Sequence, residues 1–67
     1  MKTKPLTDSD LEFMAAPPKN FLYWLIKDTY TVVAIVESWT DTTITLKTEH
    51  GATTTENRKD VKFIVGN

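Results

Sequence analysis

The sequence predicts a small, mainly β domain in which five short antiparallel strands follow one short N-terminal α-helix. Residues 21–27, 30–39 and 61–65 are rich in aromatic, β-branched and other apolar side chains, which favour strands. Residues 42–49 alternate between apolar and polar side chains, as expected for a strand with one side in water. The chain has 67 residues, which is room for a single domain spanning residues 1–67.

The N-terminal part is predicted to contain a flexible tail, residues 1–5, and a helix, residues 7–16. Thr7 is a suitable N-cap, and Asp10 follows three residues later, where a capping box places its acidic residue. Leu11 begins an apolar face that continues three and four residues further on. Two consecutive prolines then end the helix. Because a helix this short is unstable alone, it is expected to pack on the rest of the domain.

Residues 21–65 are predicted to form the β-structure. Turn-forming pairs separate its strands at Asp28-Thr29, Thr40-Asp41 and His50-Gly51. In the third strand, Ile44 and Leu46 point to one side while the intervening polar residues point to the other. A single helical turn is expected at residues 57–60, before the last strand. Twelve residues of the chain are Thr, and most of them lie where an antiparallel sheet would face water.

The composition argues against several classes of protein and site. The chain has no Cys and one His, so neither a disulfide nor a Cys–His zinc site is predicted. The formal net charge is −1, whereas dedicated nucleic-acid-binding domains are usually basic. No apolar run reaches the roughly 18 residues of a membrane helix, and no apolar segment follows the basic N-terminus as in a signal peptide. No cofactor is predicted, and the expected compartment is the cytoplasm.

Catalytic chemistry is not predicted either. The single histidine, His50, precedes Gly51 in a turn, where a solvent-exposed side chain is expected rather than a general base. Asp8, Asp10 and Glu12 belong to the start of the helix rather than to a catalytic carboxylate pair. The chain's two glycines do not form a Gly-rich phosphate-binding loop. The chain is therefore expected not to be an enzyme.

The segment YTVVAIVESWTDTTITLKTEHGATTTENRKDVKFI, about half of the chain, resembles SH3-like small barrels, especially those of the Tudor and KOW type. Tyr30, Ala34 and Val36 match an aromatic-x-x-x-Ala-x-Val strand of Tudor-like chains. The later turn resembles their acidic-aromatic-Gly turn, although His50 stands in place of the usual aromatic residue. The resemblance implies a five-stranded antiparallel SH3-like barrel with the helix packed on it.

Small barrels of this kind bind peptides, modified side chains or nucleic acid through aromatic residues at one end. The resemblance therefore implies three cage candidates in this chain: Tyr23, Tyr30 and Trp39. The histidine in the turn argues against a methyl-lysine cage. Trp39 itself has two interpretations: it packs inside with Val33 and Ile35, or it faces outward with Glu37.

The run FLYWLI, residues 21–26, is apolar on both of its strand faces, because odd- and even-numbered side chains alternate between them. In one interpretation, one face fills the interior and the other lies under the helix, against Leu11, Phe13 and Met14. In the other, one face is partly open and meets another chain, since an exposed apolar patch marks an interaction site. Both interpretations hold if most of the run lies in the core while Trp24 or Tyr23 reaches the rim of the domain.

The predicted function is a non-catalytic binding module that docks on a protein partner through aromatic and aliphatic side chains. The residues expected to bind that partner are Tyr23, Trp24, Tyr30, Trp39, Arg58 and Lys59. In a second form of this hypothesis the partner is another copy of the chain, which gives a homodimer. A chain of this size also suits a bacterial or phage accessory protein that modulates a larger machine, or a structural subunit of an assembly.

Nucleic-acid binding is the main alternative, and no membrane partner is expected. Arg58, Lys59 and Lys62 form a basic cluster that, together with exposed aromatic residues, would contact phosphates and stack on bases. The neighbouring Glu56 and Asp60 would weaken its attraction for phosphate. The docking hypothesis is therefore preferred.

Overall fold

A computed structural model of the chain describes residues 2–4 and 6–65, which form six strands, one α-helix and one 3₁₀ turn. In chain order the elements are β1 (Lys2–Lys4), α1 (Asp8–Ala15), β2 (Leu22–Ile26), β3 (Tyr30–Trp39), β4 (Thr43–Thr48), β5 (Thr53–Asn57), the 3₁₀ turn (Arg58–Asp60) and β6 (Val61–Val65). The predicted mainly β class with one short helix is confirmed.

All six strands belong to one antiparallel sheet, with the strand order β1-β6-β2-β3-β4-β5. Within the described residues this sheet is open, with β1 and β5 at its two edges. The prediction of five strands is therefore short by one, and the closed barrel is not confirmed.

The additional strand comes from the segment predicted as a flexible tail. Thr3 lies opposite Ile64, so β1 pairs with β6 along its whole length. Lys4 Nζ also donates to Asp10 Oδ1 at 3.1 Å, which fastens the strand to the helix. The tail prediction is wrong for Lys2–Lys4, because β6 offers an edge that only the folded sheet creates; Met1 and Pro5 lie outside the described residues.

The helix begins and ends where the sequence predicts. Thr7 is its N-cap, and Thr7 Oγ1 accepts a hydrogen bond from Asp10 N at 3.2 Å. Ala16 N donates to Glu12 O at 3.1 Å and closes the last turn, after which two prolines follow. Leu11 is the one fully buried residue of α1, and Met14 and Ala15, which are partly buried, pack against the same core.

The core lies on one face of the sheet, here called the inner face. Its fully buried side chains come from α1 and from four neighbouring strands: Leu11, Trp24, Ile26, Ala34, Val36, Ile44, Leu46 and Val61. The opposite face, here called the outer face, carries the alternating side chains of the same strands. In β4 the predicted alternation is confirmed, because Ile44 and Leu46 are both buried.

A β-bulge in β3 changes this alternation. Val36 pairs with Leu46, but the next paired residue is Ser38, opposite Thr45, so Glu37 is an extra residue. After a bulge the side chains of a strand exchange faces relative to a strict period of two. The bulge therefore brings the side chain of the last residue of β3 back to the inner face.

The sheet curls toward its inner face. In the strand order β6-β2-β3-β4-β5, the strands β5 and β6 would be four spacings, roughly 19 Å, apart in a flat sheet. Only the three residues Arg58–Asp60 join them, and this connection spans at most about 14 Å. The curl lets a small number of side chains enclose one core.

The turn between β2 and β3 contains strained backbone. Thr29 N donates to Ile26 O at 3.0 Å, and the two residues between them, Lys27 and Asp28, have φ values of +53° and +54°. Side chains other than Gly, Asn and Asp are disfavoured in this left-handed region by roughly 1–2 kcal/mol per residue. The strain therefore lies mainly at Lys27, where glycine would be favoured.

Lys27→Gly is expected to raise the free energy of unfolding by about 0.5–1 kcal/mol, because glycine relieves the strain at a positive φ. The ion pair lost with the Lys27 side chain is long, at 4.0 Å, and Lys27 itself is exposed, so its contribution is small. Urea denaturation of the two proteins measures the difference. Thr29→Gly, in the same turn but without a positive φ, is the matched control and should lower stability; an equal rise in both variants would contradict the explanation.

Candidate functional site

Trp24, predicted to bind a partner, is part of the core instead. Its side chain is fully buried, and its indole Nε1 donates to Ala34 O at 3.0 Å. Its ring meets Phe63 edge-on, with centroids 5.5 Å apart. Trp24 lies on the same face of β2 as Ile26, so the alternation of the strand directs both toward the interior. The prediction that Trp24 contacts a partner is therefore wrong.

Tyr23 points the opposite way and is the most exposed aromatic residue of the sheet, with 59% of its surface accessible. It lies opposite Val33 of β3 on the outer face. Around it the outer face carries a group of half-buried aliphatic side chains. We call Tyr23 and this group the outer apolar patch: Tyr23 and Leu25 of β2, Val33 and Ile35 of β3, and Ile64 of β6.

The helix does not cover this patch. Leu11 anchors α1 in the same cluster as Trp24, so the helix and the core share the inner face. The interpretation that placed one face of FLYWLI in the interior and the other under the helix is therefore wrong. Phe13, expected at that contact, is 84% exposed, while Leu11 and Met14 do pack on the core. No element of the described residues covers the outer face of β2.

The outer face changes from apolar to polar between β3 and β4. Ile35 lies opposite Lys47, and beyond this pair the outer side chains of β4 and β5 are Thr, with one Asn at position 57. Thr45 Oγ1 and Thr55 Oγ1 lie 2.9 Å apart and share a hydrogen bond across β4 and β5. The water-facing role predicted for Thr therefore holds for one half of this face, and the outer apolar patch occupies the other half.

The three cage candidates do not come together. Tyr30 starts β3 opposite Ile26 and is 50% exposed, whereas Tyr23 lies on the outer face. Trp39 ends β3, a strand of ten residues, at the other end of the sheet. Owing to the bulge, Trp39 packs against the inner core opposite Ile44, while Val33 and Ile35, its expected neighbours, lie on the outer face. These placements argue against an aromatic cage.

The basic cluster is largely neutralised. The Arg58 Nη1 atom lies 2.8 Å from Asp8 Oδ1 and donates to Thr40 O, also at 2.8 Å. The side chain of Arg58 is only 15% exposed, so it acts as a tie between elements rather than as a partner contact. Lys62 Nζ donates to Asp28 Oδ1 at 3.0 Å. Lys59 is exposed, and it is the member of the cluster that remains available to a partner.

A second apolar surface lies between the end of α1 and the sheet. A groove there is lined mostly by apolar side chains, which include Phe13, Met14, Pro17, Pro18, Leu22 and Phe63. The ion pair of Lys4 and Asp10 lies at one side of this groove. Hydrogen bonds from Lys4 and Thr7 lower the pKa of Asp10 below its ordinary value of 3.8. The carboxylate of Asp10 therefore stays charged at the rim of this groove at neutral pH.

The described residues contain neither a cluster of metal-ligating side chains nor a membrane-spanning helix. Among them, no group of three or more His, Asp or Glu side chains is placed to hold a metal ion. His50 lies exposed in the turn between β4 and β5, as expected. Nor does this part of the chain contain a helix of the length and apolarity that crossing a bilayer requires.

Val33, Ile35 and Ile64 of the outer apolar patch were not predicted from the sequence to lie on this surface, although a signal for the two residues of β3 exists. β3 contains Val32, Val33, Ala34, Ile35 and Val36 in succession, so it is apolar at odd and even positions, as β2 is. Two neighbouring strands with this property imply that both faces of a sheet are apolar. Only one of those faces can be lined by a helix of eight residues.

No protein-family model, curated protein or solved structure matches the chain. The function is therefore inferred from the surfaces of the fold.

Proposed function

We propose that this chain is a non-catalytic binding module that docks on a protein partner through the outer apolar patch. The observation that carries the proposal is a contiguous group of half-buried aliphatic side chains around the exposed Tyr23, on three neighbouring strands and on the face opposite the helix. Contiguous exposed apolar surface typically marks an interaction site. Tyr23 lies within this surface, and tyrosine is enriched among the residues that dominate binding energy.

The dimensions of the patch favour a helix of another protein as the occupant. Three strands by five residues cover roughly 14 Å by 17 Å, which is about 240 Å². This area is small beside the roughly 800 Å² per partner of a standard interface, so a transient contact is expected whichever protein fills the patch. An α-helix is about 10 Å across, which matches the width of the patch, and helices commonly cover apolar sheet faces.

An SH3-like small barrel is the finer fold assignment in this proposal. Its support is the sequence of elements after β2: a long strand, a second strand, a tight turn at Gly51, a short strand, a 3₁₀ turn and a last strand. The order β6-β2-β3-β4-β5 and the curl of the sheet are consistent with it. In this assignment β1 is an added edge strand, and Tyr23 lies on the wall of the barrel rather than at its end.

Photo-crosslinking tests the proposed surface. We expect a protein partner to crosslink to p-benzoylphenylalanine introduced at position 23, and to crosslink much less from position 45, on the polar half of the same face. The crosslinked peptide of the partner should belong to an amphipathic helix. Tyr23→Ser is expected to weaken binding of a synthetic copy of that helix at least about tenfold, since a tyrosine hot spot contributes about 1.4 kcal/mol or more.

Thr45→Ser is the matched control, because it changes a side chain of the outer face outside the patch. It should bind the helix as the unmodified chain does. If Tyr23→Ser left binding unchanged, the patch would not be the docking surface. Oligonucleotide binding that fell steeply with salt and was lost in Lys59→Ala would instead support the nucleic-acid alternative.

A further inference from the structure

The two edges of the sheet differ in how they are protected against pairing with another strand. Edge strands are commonly shortened, bulged or given Lys or Pro residues, which discourages the addition of a strand. β1 follows this practice, since it is three residues long with the sequence KTK. β5 has neither Lys nor Pro: its five residues read TTTEN, and its pairing with β4 is regular throughout. Its one charged side chain, Glu56, points to the inner face and lies 4.0 Å from Lys27 Nζ.

The hydrogen bonds at the ends of β5 show which of its backbone groups face the free edge. Arg58 N donates to Thr42 O at 2.8 Å after β5 ends. Thr48 N donates to Ala52 O, also at 2.8 Å, before β5 begins. Hydrogen-bonded pairs recur at every second residue of an antiparallel ladder. The residues of β5 that are out of phase with these pairs direct N–H and C=O away from β4, and they are Thr53, Thr55 and Asn57.

We propose that β5 is a self-association edge, at which two copies of this chain pair antiparallel about a two-fold axis through Thr55. In that register Thr55 faces the partner's Thr55, and Thr53 faces the partner's Asn57. Each of the three pairs so formed exchanges two backbone hydrogen bonds, because all of these groups point outward. The two sheets become one continuous sheet, and the outer apolar patches stay free.

The charges at the ends of β5 favour a second copy in this orientation. Glu49 precedes the strand and Lys59 follows it, and both are exposed. Antiparallel pairing brings Lys59 toward the partner's Glu49, whereas parallel pairing would bring like charges together. Glu56, the only charged residue of β5, faces the partner's Thr54 rather than its own copy, so no like charges oppose each other.

The dimer is expected to be weak. One strand edge of five residues buries much less than the roughly 800 Å² per partner of a standard interface. We therefore expect a dissociation constant of roughly 0.1–1 mM, the range of transient contacts. Sedimentation of the full chain between about 10 µM and about 1 mM should show an average mass that rises from 7.6 kDa toward twice that value.

Thr55→Pro tests the edge directly. Proline removes the outward N–H at the two-fold axis, and an edge strand tolerates it where that N–H faces solvent. We expect the dissociation constant to rise at least about tenfold. Thr55→Val is the matched control: it also loses the hydroxyl contact with Thr45, but it keeps the N–H, and its dimerisation should change less than about threefold.

Three outcomes would overturn the proposal. The first is a mass that stays at 7.6 kDa up to about 1 mM. The second is association that Thr55→Pro leaves unchanged. The third is association lost in Tyr23→Ser instead, which would assign the contact to the outer apolar patch.

A second variant keeps the test decisive if Thr55→Pro does not fold, as judged by tryptophan fluorescence. Thr55→Lys places two lysines opposite each other at the axis, on the solvent-facing side of the strand. It should weaken the dimer at least tenfold at low salt and less at high salt. Unchanged dimerisation of Thr55→Lys would reject the proposal. The outer apolar patch is not altered by these variants, so its own test succeeds or fails independently.

Discussion

Trp24→Ala is expected to unfold the chain at room temperature. Trp24 is the largest fully buried side chain, and truncating a buried aromatic residue to alanine costs about 3–5 kcal/mol. Ala34 O also loses its indole donor, which adds about 1–3 kcal/mol if the carbonyl stays buried. A chain of 67 residues has a total stability of only about 3–10 kcal/mol at the usual value per residue. Far-UV circular dichroism and urea denaturation measure the loss.

Trp24→Phe separates the contribution of the buried aromatic ring from that of the indole hydrogen bond. Phenylalanine keeps an aromatic ring beside Phe63 but cannot donate to Ala34 O. We expect this variant to fold and to lose about 1–3 kcal/mol, mainly from the missing hydrogen bond and the smaller ring. A cooperative urea transition of Trp24→Ala close to that of the unmodified chain would show that Trp24 does not hold the core together.

Leu11→Ala is expected to release the helix from the sheet. Leu11 is the only fully buried residue of α1, and replacing a buried leucine by alanine costs about 2–5 kcal/mol. A helix of eight residues does not persist in water without packing. The expected result is a lower urea midpoint together with faster amide hydrogen exchange in residues 8–15 than in the strands.

Phe13→Ala provides the matched control on the same helix. Its side chain is 84% exposed, so its removal should change the free energy of unfolding by no more than about 0.5 kcal/mol. If Phe13→Ala destabilised the chain as much as Leu11→Ala, the helix would be docked through a different face from the one described here.

The local features of the fold could be predicted from the sequence because local rules determine them. Thr7 and the two prolines set the ends of α1, and apolar runs between turn residues set the bounds of β3 and β6. The exposure of His50 followed in the same way from the turn that contains it. At these positions no distant contact competes with the local preference.

The candidate site could be predicted less well, because faces and edges are properties of the assembled sheet. An apolar run on two faces does not state which face the helix will cover, so Trp24 and Tyr23 could not be told apart. The bulge at Glu37 shifts the alternation of β3 and thereby moves Trp39 inward. β1 forms because β6 provides an edge, and the local sequence of Lys2–Lys4, one Thr between two lysines, is too short and polar to predict a strand.

The position of Arg58 has a consequence for synthesis of the chain on the ribosome. Its guanidinium joins Asp8, near the start of the chain, to Thr40 and to the 3₁₀ turn. The helix is therefore translated about fifty residues before the cation that secures its first turn. A nascent chain arrested before Arg58 lacks this contact and also β6, whose Val61 belongs to the core that Leu11 enters. Proteases should therefore cleave its α1 faster than the α1 of the 67-residue chain.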